Sequence, residues 1–163
     1  MPHTARLDAK DLAILEALQA DGRQPLSALG RRIGLSQPAI SERVKRLEEQ
    51  GIITGYAAKL SLPALGLNMM AILRLRTEHA SIKACLKRFA ELPNIVEVHR
   101  VTGEDCFVLK AIVPAPEDLA SIVDAIGAFG AVTTSLVLKS EPAKPVSPAL
   151  MTRARKAADL RRL

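Results

Sequence analysis

Three short segments near the start of the chain carry apolar residues at the spacing of an α-helix. The stripes consist of Leu12, Leu15 and Leu18, of Leu26, Leu29 and Ile33, and of Ile40, Val44 and Leu47. Each stripe would cover one side of a helix, because residues three or four apart lie on the same side. The pattern breaks at Asp21-Gly22-Arg23, Gly34-Leu35-Ser36 and Glu49-Gln50-Gly51. Three helices whose middle break is only three residues long predict a helix-turn-helix.

The residues around the middle break suit a tight turn. Gly34 can adopt the positive φ that ends the second helix. We expect the Ser36 side chain to accept a hydrogen bond from the first free amides of the third helix. Pro38 fits the first turn of that helix, where its missing N–H group is not needed.

The third helix carries polar and cationic residues outside its apolar stripe. They are Gln37, Pro38, Ala39, Ser41, Glu42, Arg43, Lys45 and Arg46. Gln37 and Ser41 can address base edges, Ala39 can touch a thymine methyl group, and the cations can reach phosphates or guanine. The glutamates between the cations leave a second interpretation open, in which this surface is an ordinary solvated helix face.

The second half of the chain alternates between strand and helix patterns. Strands are predicted at residues 70–77, 95–101, 106–113 and 132–138, and helices from residue 82 to just before Pro93 and at residues 117–127. The order β-α-β-β-α-β is a ferredoxin-like plan. The sequence therefore predicts an α+β fold with a helix-turn-helix at residues 7–60, a linker at 61–66, a ferredoxin-like domain at 67–139 and a tail at 140–163.

Several runs of this sequence resemble the Lrp/AsnC (feast/famine) transcriptional regulators. They are the breaks Asp21-Gly22-Arg23 and Gly34-Leu35-Ser36, the run RVKRLEEQGIITGY from Arg43 to Tyr56, the run VTGEDCFVLK from Val101 to Lys110, and TTSLVL from Thr133 to Leu138. The resemblance covers residues 7–139. It implies a winged helix-turn-helix that binds double-stranded DNA, with residues 52–60 as the wing or hinge. The second half would be the ligand-sensing RAM domain, which dimerises through its sheets.

The resemblance also implies a small-molecule effector, an amino acid. The candidate effector-binding residues are Thr102, Gly103, Glu104, Asp105, Cys106, Thr133, Thr134 and Ser135. Gly103 lets main-chain amides approach a carboxylate, and Glu104 or Asp105 could pair with an α-ammonium group. From the residues alone, the same turn could be an ordinary hairpin and the hydroxyls ordinary strand residues. The chain has Cys106 and Phe107 where this family usually places Asp and Tyr.

Length and charge add limits. With 163 residues that are 48% hydrophobic, each of two small domains would have a marginal core, so we expect a homodimer that assembles further, to a tetramer or octamer. The formal net charge of +6 is uneven. Residues 1–60 contribute +2, residues 61–138 contribute −1, and residues 139–163 contribute +5. The overall charge therefore does not itself support the helix-turn-helix.

The C-terminal tail changes character twice. Pro142, Pro145 and Pro148 predict an extended connector, and the basic residues after Met151 predict a short helix or arm. Three interpretations stay open: a disordered tail, an arm that contacts phosphates, and a helix docked on another subunit.

Several classes of protein are disfavoured. No apolar run reaches the roughly 18 residues of a membrane span and no signal-peptide core follows Met1, so we expect a cytoplasmic protein without membrane contact. Cys85 and Cys106 are expected to be reduced and structural. No metal site is predicted around His79 or His99, and no cofactor. One enzymatic alternative remains, a sirohaem decarboxylase of similar build, although the cations of the third helix favour the regulator.

Overall fold

The structure is a computed structural model that describes the backbone of residues 7–160 and the side chains of residues 7–154. The chain divides into two compact units. The first comprises Met1–Lys59 together with Pro142–Leu163, and the second comprises Leu60–Glu141. The expected absence of a signal peptide concerns residues 1–6, which lie outside the described part of the chain, as do the last basic residues, Arg161 and Arg162.

The first unit is built on four helices. They are α1 at Ala9–Ala20, α2 at Leu26–Ile33, α3 at Gln37–Glu49 and, from the end of the chain, α6 at Pro148–Leu160. The predicted apolar stripes of α2 and α3 lie in one core, in which Leu29, Ile40 and Leu47 are fully buried. From α1, Leu15 and Leu18 reach this core as predicted, but Leu12 does not, and Ile14, which lay outside the predicted stripe, is fully buried there. The predicted helix-turn-helix is confirmed.

The turn between α2 and α3 agrees with the sequence in all but one respect. Gly34 ends α2 in the left-handed region, with φ 71° and ψ 49°. Pro38 lies in the first turn of α3, as predicted. The prediction for Ser36 is wrong, because this N-cap residue makes no capping bond through its side chain. Its main-chain carbonyl instead accepts a hydrogen bond from the amide of Ile40 at 3.0 Å, so the helix begins without the hydroxyl.

The second unit is a four-stranded antiparallel sheet with two helices. The strands are β1 at Met69–Thr77, β2 at Ile95–Arg100, β3 at Phe107–Val113 and β4 at Gly130–Leu136, and the helices are α4 at Ile82–Glu91 and α5 at Pro116–Gly127. The strand order is β2-β3-β1-β4, which confirms the ferredoxin-like plan. Short 3-10 turns occupy Pro63–Leu65 and His79–Ser81.

The two faces of this sheet differ in burial. On the helix side, Leu73, Leu75 and Leu109 are fully buried. On the same side, the rings of Phe89 and Phe107 pack edge to face, with their centroids 5.1 Å apart. Alternate residues of the same strands point to the opposite face. That face carries Ile72, Arg74, Val108 and Lys110, which are half-buried or exposed.

Strand β4 begins two residues earlier than the apolar pattern predicted. Gly130 pairs with Thr77 at the start of the strand, and a Cβ atom on Gly130 would collide with the main-chain carbonyl of Arg76. Only glycine allows the two backbones to approach so closely. Because glycine carries no apolar side chain, the hydrophobic pattern could not mark this end of the strand.

Candidate nucleic-acid interface and ligand site

Helix α3 exposes half of its eight predicted DNA-facing residues to solvent and partly buries the other half. Gln37, Pro38, Glu42 and Lys45 are exposed, and Ala39, Ser41, Arg43 and Arg46 are half-buried. Ile40, Val44 and Leu47 hold the opposite side of the helix in the core. At about 100° per residue, Gln37, Ser41 and Lys45 follow one another along the exposed side. The structure thus brings together the short polar groups that could address base edges.

Arg43 and Arg46 lie on a different flank of α3 and face α1. Arg43 Nη1 donates to Asp11 Oδ1 at 2.8 Å and to Asp8 Oδ2 at 2.7 Å. Arg46 Nη2 donates to both carboxylate oxygens of Asp11, at 2.9 and 3.0 Å. Asp11 is only 1% exposed. Two cations of the third helix therefore hold that helix against the first.

The Asp11 carboxylate is fully provided with hydrogen bonds. In addition to the two guanidinium groups, it accepts the main-chain amide of Asp8 at 3.0 Å, while the Asp8 side chain accepts the amide of Asp11 at 2.8 Å. This reciprocal arrangement is a capping box at the start of α1. A buried carboxylate is tolerated only when it is paired and hydrogen-bonded in this way.

The same contacts shift two pKa values. The hydrogen bond from the Asp11 amide, aided by Arg43, lowers the pKa of Asp8 below its ordinary value of 3.8. The carboxylates of Asp8 and Asp11 raise the pKa of the Arg43 guanidinium. Sequence reasoning missed this network, although two acids three residues apart at a helix start were a usable signal.

Helix α3 as a whole carries no net charge. Its three cations are balanced by Glu42, Glu48 and Glu49. Lys45 also lies 3.6 Å from Glu49, in an exposed pair. The predicted DNA contacts of Arg43, Lys45 and Arg46 stay a prediction, but each of these side chains has an acidic partner in this structure.

The segment after α3 packs back on the helices of the first unit. Residues 52–60, all of which are described, form no strand. The amides of Ile52 and Ile53 both donate to the Leu47 carbonyl. The Tyr56 hydroxyl donates to Glu48 at 2.8 Å, and burial, with the charge of Glu48, raises the pKa of Tyr56. The Tyr56 ring lies over Gly22, where a Cβ atom would come within 3.1 Å of it. Two separate parts of the sequence resemblance thus meet in space.

In the second unit, the predicted ligand-binding turn joins β2 to β3. Thr102, Gly103 and Glu104 are exposed, and Asp105 and Cys106 are half-buried. Gly103 has φ 117° and open space around it. The main chain of Cys106 closes the turn, because its carbonyl accepts from Val101 and its amide donates to Leu75.

Arg74 connects this turn to the predicted hydroxyls of β4. Its Nη1 lies 3.8 Å from Asp105 Oδ2, and its partner residue in β4 is Thr133. Residues paired across strands share one face of the sheet. Thr133 and Ser135 therefore lie on the open face with Arg74, whereas Thr134 pairs with the buried Leu73 on the helix side. Sequence reasoning did not single out Arg74, because an arginine inside a strand is no motif.

The other residues considered in the sequence have ordinary surroundings. Both cysteine thiols are free, and burial raises the pKa of the Cys85 thiol. His99 Nε2 lies 3.5 Å from Glu97 on an exposed strand. Within the described residues, no three His, Cys, Asp or Glu side chains are grouped so as to hold a metal ion. No helix in this part of the chain is long and apolar enough to cross a bilayer.

A helix-turn-helix unit with a solvent-facing third helix, joined to a ferredoxin-like unit, is the architecture of a DNA-binding protein that also carries a ligand-binding domain. Sequence comparison agrees for each half. Residues 7–48 match the AsnC-type helix-turn-helix domain, and residues 70–145 match the Lrp/AsnC ligand binding domain. The chain belongs to the Lrp/AsnC family.

Known relatives span most of the chain. It is 35% identical over 139 residues to the uncharacterized HTH-type transcriptional regulator YezC of Bacillus subtilis, covering 85% of this chain and 99% of that protein. It is 40% identical over 121 residues to the leucine-responsive regulatory protein of Rhizobium meliloti, covering 72% and 76%. The solved complex of transcriptional regulator NMB0573 with L-Met, from Neisseria meningitidis, has a TM-score of 0.81 at 26% identity, covering 88% and 97%.

These relatives are transcriptional regulators. The protein is accordingly a DNA-binding regulator of the Lrp/AsnC type with a domain for a small-molecule effector, and not an enzyme. The sirohaem decarboxylase considered from the sequence is set aside on this ground.

Proposed function

We propose that the first unit recognises double-stranded DNA through the exposed side of α3. The observation that carries this is that exposed Gln37, half-buried Ser41 and exposed Lys45 follow one another along α3, while Ile40, Val44 and Leu47 are buried in the core. Gln37 and Ser41 would address base edges, with Pro38, Ala39 and Glu42 beside them, and Lys45 would contact a phosphate.

Arg43 and Arg46 have two roles in this proposal. Each guanidinium has five N–H donors, and the side chains are 25% and 43% exposed beside Asp11. Part of each group therefore remains available to a phosphate while the rest holds α3 on α1. Their replacement would disturb the position of the recognition helix as well as its charge.

We infer that the effector is an amino acid, bound at the turn and β4 of the second unit. A leucine-responsive relative and a structural neighbour solved with L-Met support this class of ligand. The proposed site comprises Thr102, Gly103, Glu104, Asp105, Cys106, Thr133, Thr134 and Ser135. We add Arg74 to this proposal, because it lies 3.8 Å from Asp105 and pairs with Thr133. Main-chain groups at Gly103 and the Arg74 guanidinium suit a carboxylate, and exposed Glu104 suits an ammonium group. The side chain of Thr134 faces the helices, so its share is the smallest.

We also propose that the chain works as a homodimer that assembles to a tetramer or octamer in the cytoplasm. The open face of the sheet, around Ile72 and Val108, supports this, because pairing it with a second copy would remove apolar surface from water. Two recognition helices would then meet half-sites about 34–36 Å apart or at a multiple of this distance. In this scheme residues 7–60 bind DNA, 61–66 link the domains and 67–139 bind the effector.

Selection from a random DNA pool tests the DNA-binding proposal, and thermal-shift screening against the amino acids tests the effector. The proposal expects an enriched, roughly palindromic sequence, and one or more amino acids that stabilise the protein and change its affinity for that sequence. Effector binding can alter DNA affinity only if the effector prefers one assembly over another. Absence of any enriched sequence would contradict the DNA part, and absence of any stabilising amino acid would contradict the effector part.

A further inference from the structure

The C-terminal segment changes the charge of the DNA-binding unit. Residues 1–59 contain nine cationic and seven acidic side chains, a net charge of +2. Residues 142–163, which cluster with them, contain six cationic side chains and one acidic side chain, a net charge of +5. The complete first unit therefore carries +7, whereas residues 60–141 carry −1. Most of the positive charge of the DNA-binding unit comes from a segment that follows the ligand-binding domain in sequence.

A two-point hydrogen bond fixes the start of this segment on α1. The Gln19 side chain accepts from the Val146 amide at 2.8 Å and donates to the Val146 carbonyl at 3.1 Å. One side-chain amide thus binds both main-chain groups of Val146.

Helix α6 begins immediately afterwards and packs into the same core. The Ser147 hydroxyl accepts from the Leu150 amide at 3.2 Å at the start of the helix, and Pro148 is its first residue. Met151 packs against the core of the first three helices. A cleft of about 370 Å³ is lined by Met151, Gln19 and residues 52–56. The helix therefore starts beside the segment that leaves the recognition helix.

The recognition helix contributes little net positive charge to general DNA affinity. Its net charge is zero, and Arg43 and Arg46 are engaged with the buried Asp11. Sequence-independent affinity for duplex DNA comes from cations that neutralise phosphates and release counterions. A second source of positive charge on the same unit would supply this component.

We propose that the docked C-terminal segment is that second source: a basic arm, held by Gln19 and Met151, that binds DNA phosphates outside the contacts of α3. The described part of the arm spans residues 144–160, and its sequence carries cations at positions 144, 153, 155 and 156. Arg153 is exposed on α6. The family domain matches end at residue 145, so this surface adds to what that family comparison assigns. The inference rests on the proposed DNA binding of the first unit.

The salt dependence of binding to a labelled mixed-sequence DNA duplex tests the arm in the full-length protein. Arg153→Gln with Lys156→Gln removes two cations one turn apart. We expect the slope of log affinity against log salt to fall by up to about two units, at about 0.9 per lost phosphate contact. The sequence preference of the protein for a selected site should not change. The matched control is Lys83→Gln with Lys87→Gln, which removes the same charge from exposed positions of α4 and should shift the slope by less than about half a unit.

Gln19→Ala tests whether docking matters, since it retains every cation. Hydrogen exchange at residues 146–151 should become faster, and the slope should fall, because an undocked arm is no longer positioned against the duplex. The proposal that the arm binds DNA would be overturned by an unchanged salt slope in the Arg153/Lys156 variant, or by an equal fall of the slope in the α4 control. If Gln19→Ala exchanged faster at residues 146–151 but kept the wild-type salt slope, the arm would not need to be docked in order to bind DNA. A wild-type protein that binds no duplex would instead overturn the proposed function, and this inference with it.

Discussion

Arg43 of the recognition helix donates a 2.8 Å hydrogen bond to Asp11 of the first helix, a carboxylate that is almost completely buried. Arg46 binds the same carboxylate from the next turn of α3. The two arginines that the sequence predicts to contact DNA therefore also join α3 to α1. We call these contacts of Arg43 and Arg46 with Asp11 the clamp. The orientation of α3, and with it the position of Gln37 and Ser41, depends on this clamp.

Asp11→Ala should destabilise the first unit by about 1–3 kcal/mol, because it removes the buried carboxylate that accepts hydrogen bonds from Arg43, Arg46 and the Asp8 amide. Tyr56 is the only tyrosine and the chain has no tryptophan. Tyrosine fluorescence during urea unfolding therefore follows the first unit alone. Glu16→Ala is the matched control, since this acid is exposed on the same helix and should change stability by less than about 0.5 kcal/mol. Equal stabilities of the two variants would show that the clamp contributes nothing.

The capping box should make the first unit sensitive to acid. The pKa of Asp8 is lower in the folded protein than its ordinary value of 3.8, so its contribution to stability is present above pH 3.8 and is lost as the pH falls through the folded pKa. Asp8→Asn should therefore flatten the loss of stability below about pH 4. Tyrosine fluorescence against pH measures this, with Asp21→Asn as an exposed control. If Asp8→Asn lost stability below about pH 4 as steeply as the wild type, Asp8 would not be the source of the acid sensitivity.

Two glycines of the second unit should respond in opposite directions. Gly130→Ala places a Cβ atom against the carbonyl of Arg76 and should lower stability by about 2 kcal/mol or more, since the β1–β4 pairing must open. Gly127→Ala meets open space at the end of α5 and should stabilise by a few tenths to about 1 kcal/mol. Far-UV circular dichroism during thermal unfolding compares them. If the two variants changed the unfolding temperature by similar amounts, the backbones of β1 and β4 would not approach closely at Gly130.

Effector binding should distinguish neighbouring hydroxyls on β4. Thr133→Ala, on the open face with Arg74, should cost about 0.5–1.5 kcal/mol of effector affinity, whereas Thr134→Ala, on the helix side, should cost little. Gly103→Val should be the most severe, because a branched residue does not readily adopt φ 117°. Isothermal titration with an amino acid identified by thermal shift gives the affinities. A larger loss in Thr134→Ala than in Thr133→Ala would move the pocket to the other face. All three variants should still bind DNA.

The sequence predicted the elements well wherever hydrophobic periodicity defines them. The stripe of Ile40, Val44 and Leu47 is buried as expected, and the strand order follows from the order of the elements. The sequence prediction failed at two positions where a main-chain contact determines the local structure. Ser36 caps its helix without its hydroxyl, and Gly130 starts a strand that has no apolar residue at that point.

The site was predicted less completely, for a related reason. Spacing shows which side of a helix a residue occupies but not what faces it across the core. The sequence therefore predicted that Arg43 and Arg46 contact DNA or the glutamates of their own helix, and did not reveal Asp11 of α1 as their partner. Likewise, three prolines and a basic end did not reveal that Gln19, more than a hundred positions earlier, holds Val146.

The central claim is that α3 recognises a DNA sequence through the polar groups at its start. The most direct measurement is parallel selection from a random duplex pool with the wild type and with Gln37→Ala/Ser41→Ala, each confirmed as folded by circular dichroism. The account predicts that the wild type enriches a roughly palindromic site, and that the variant loses that enrichment while keeping its general affinity and salt dependence, because phosphate contacts do not specify sequence. Enrichment of the same site by both proteins, at equal strength, would contradict it.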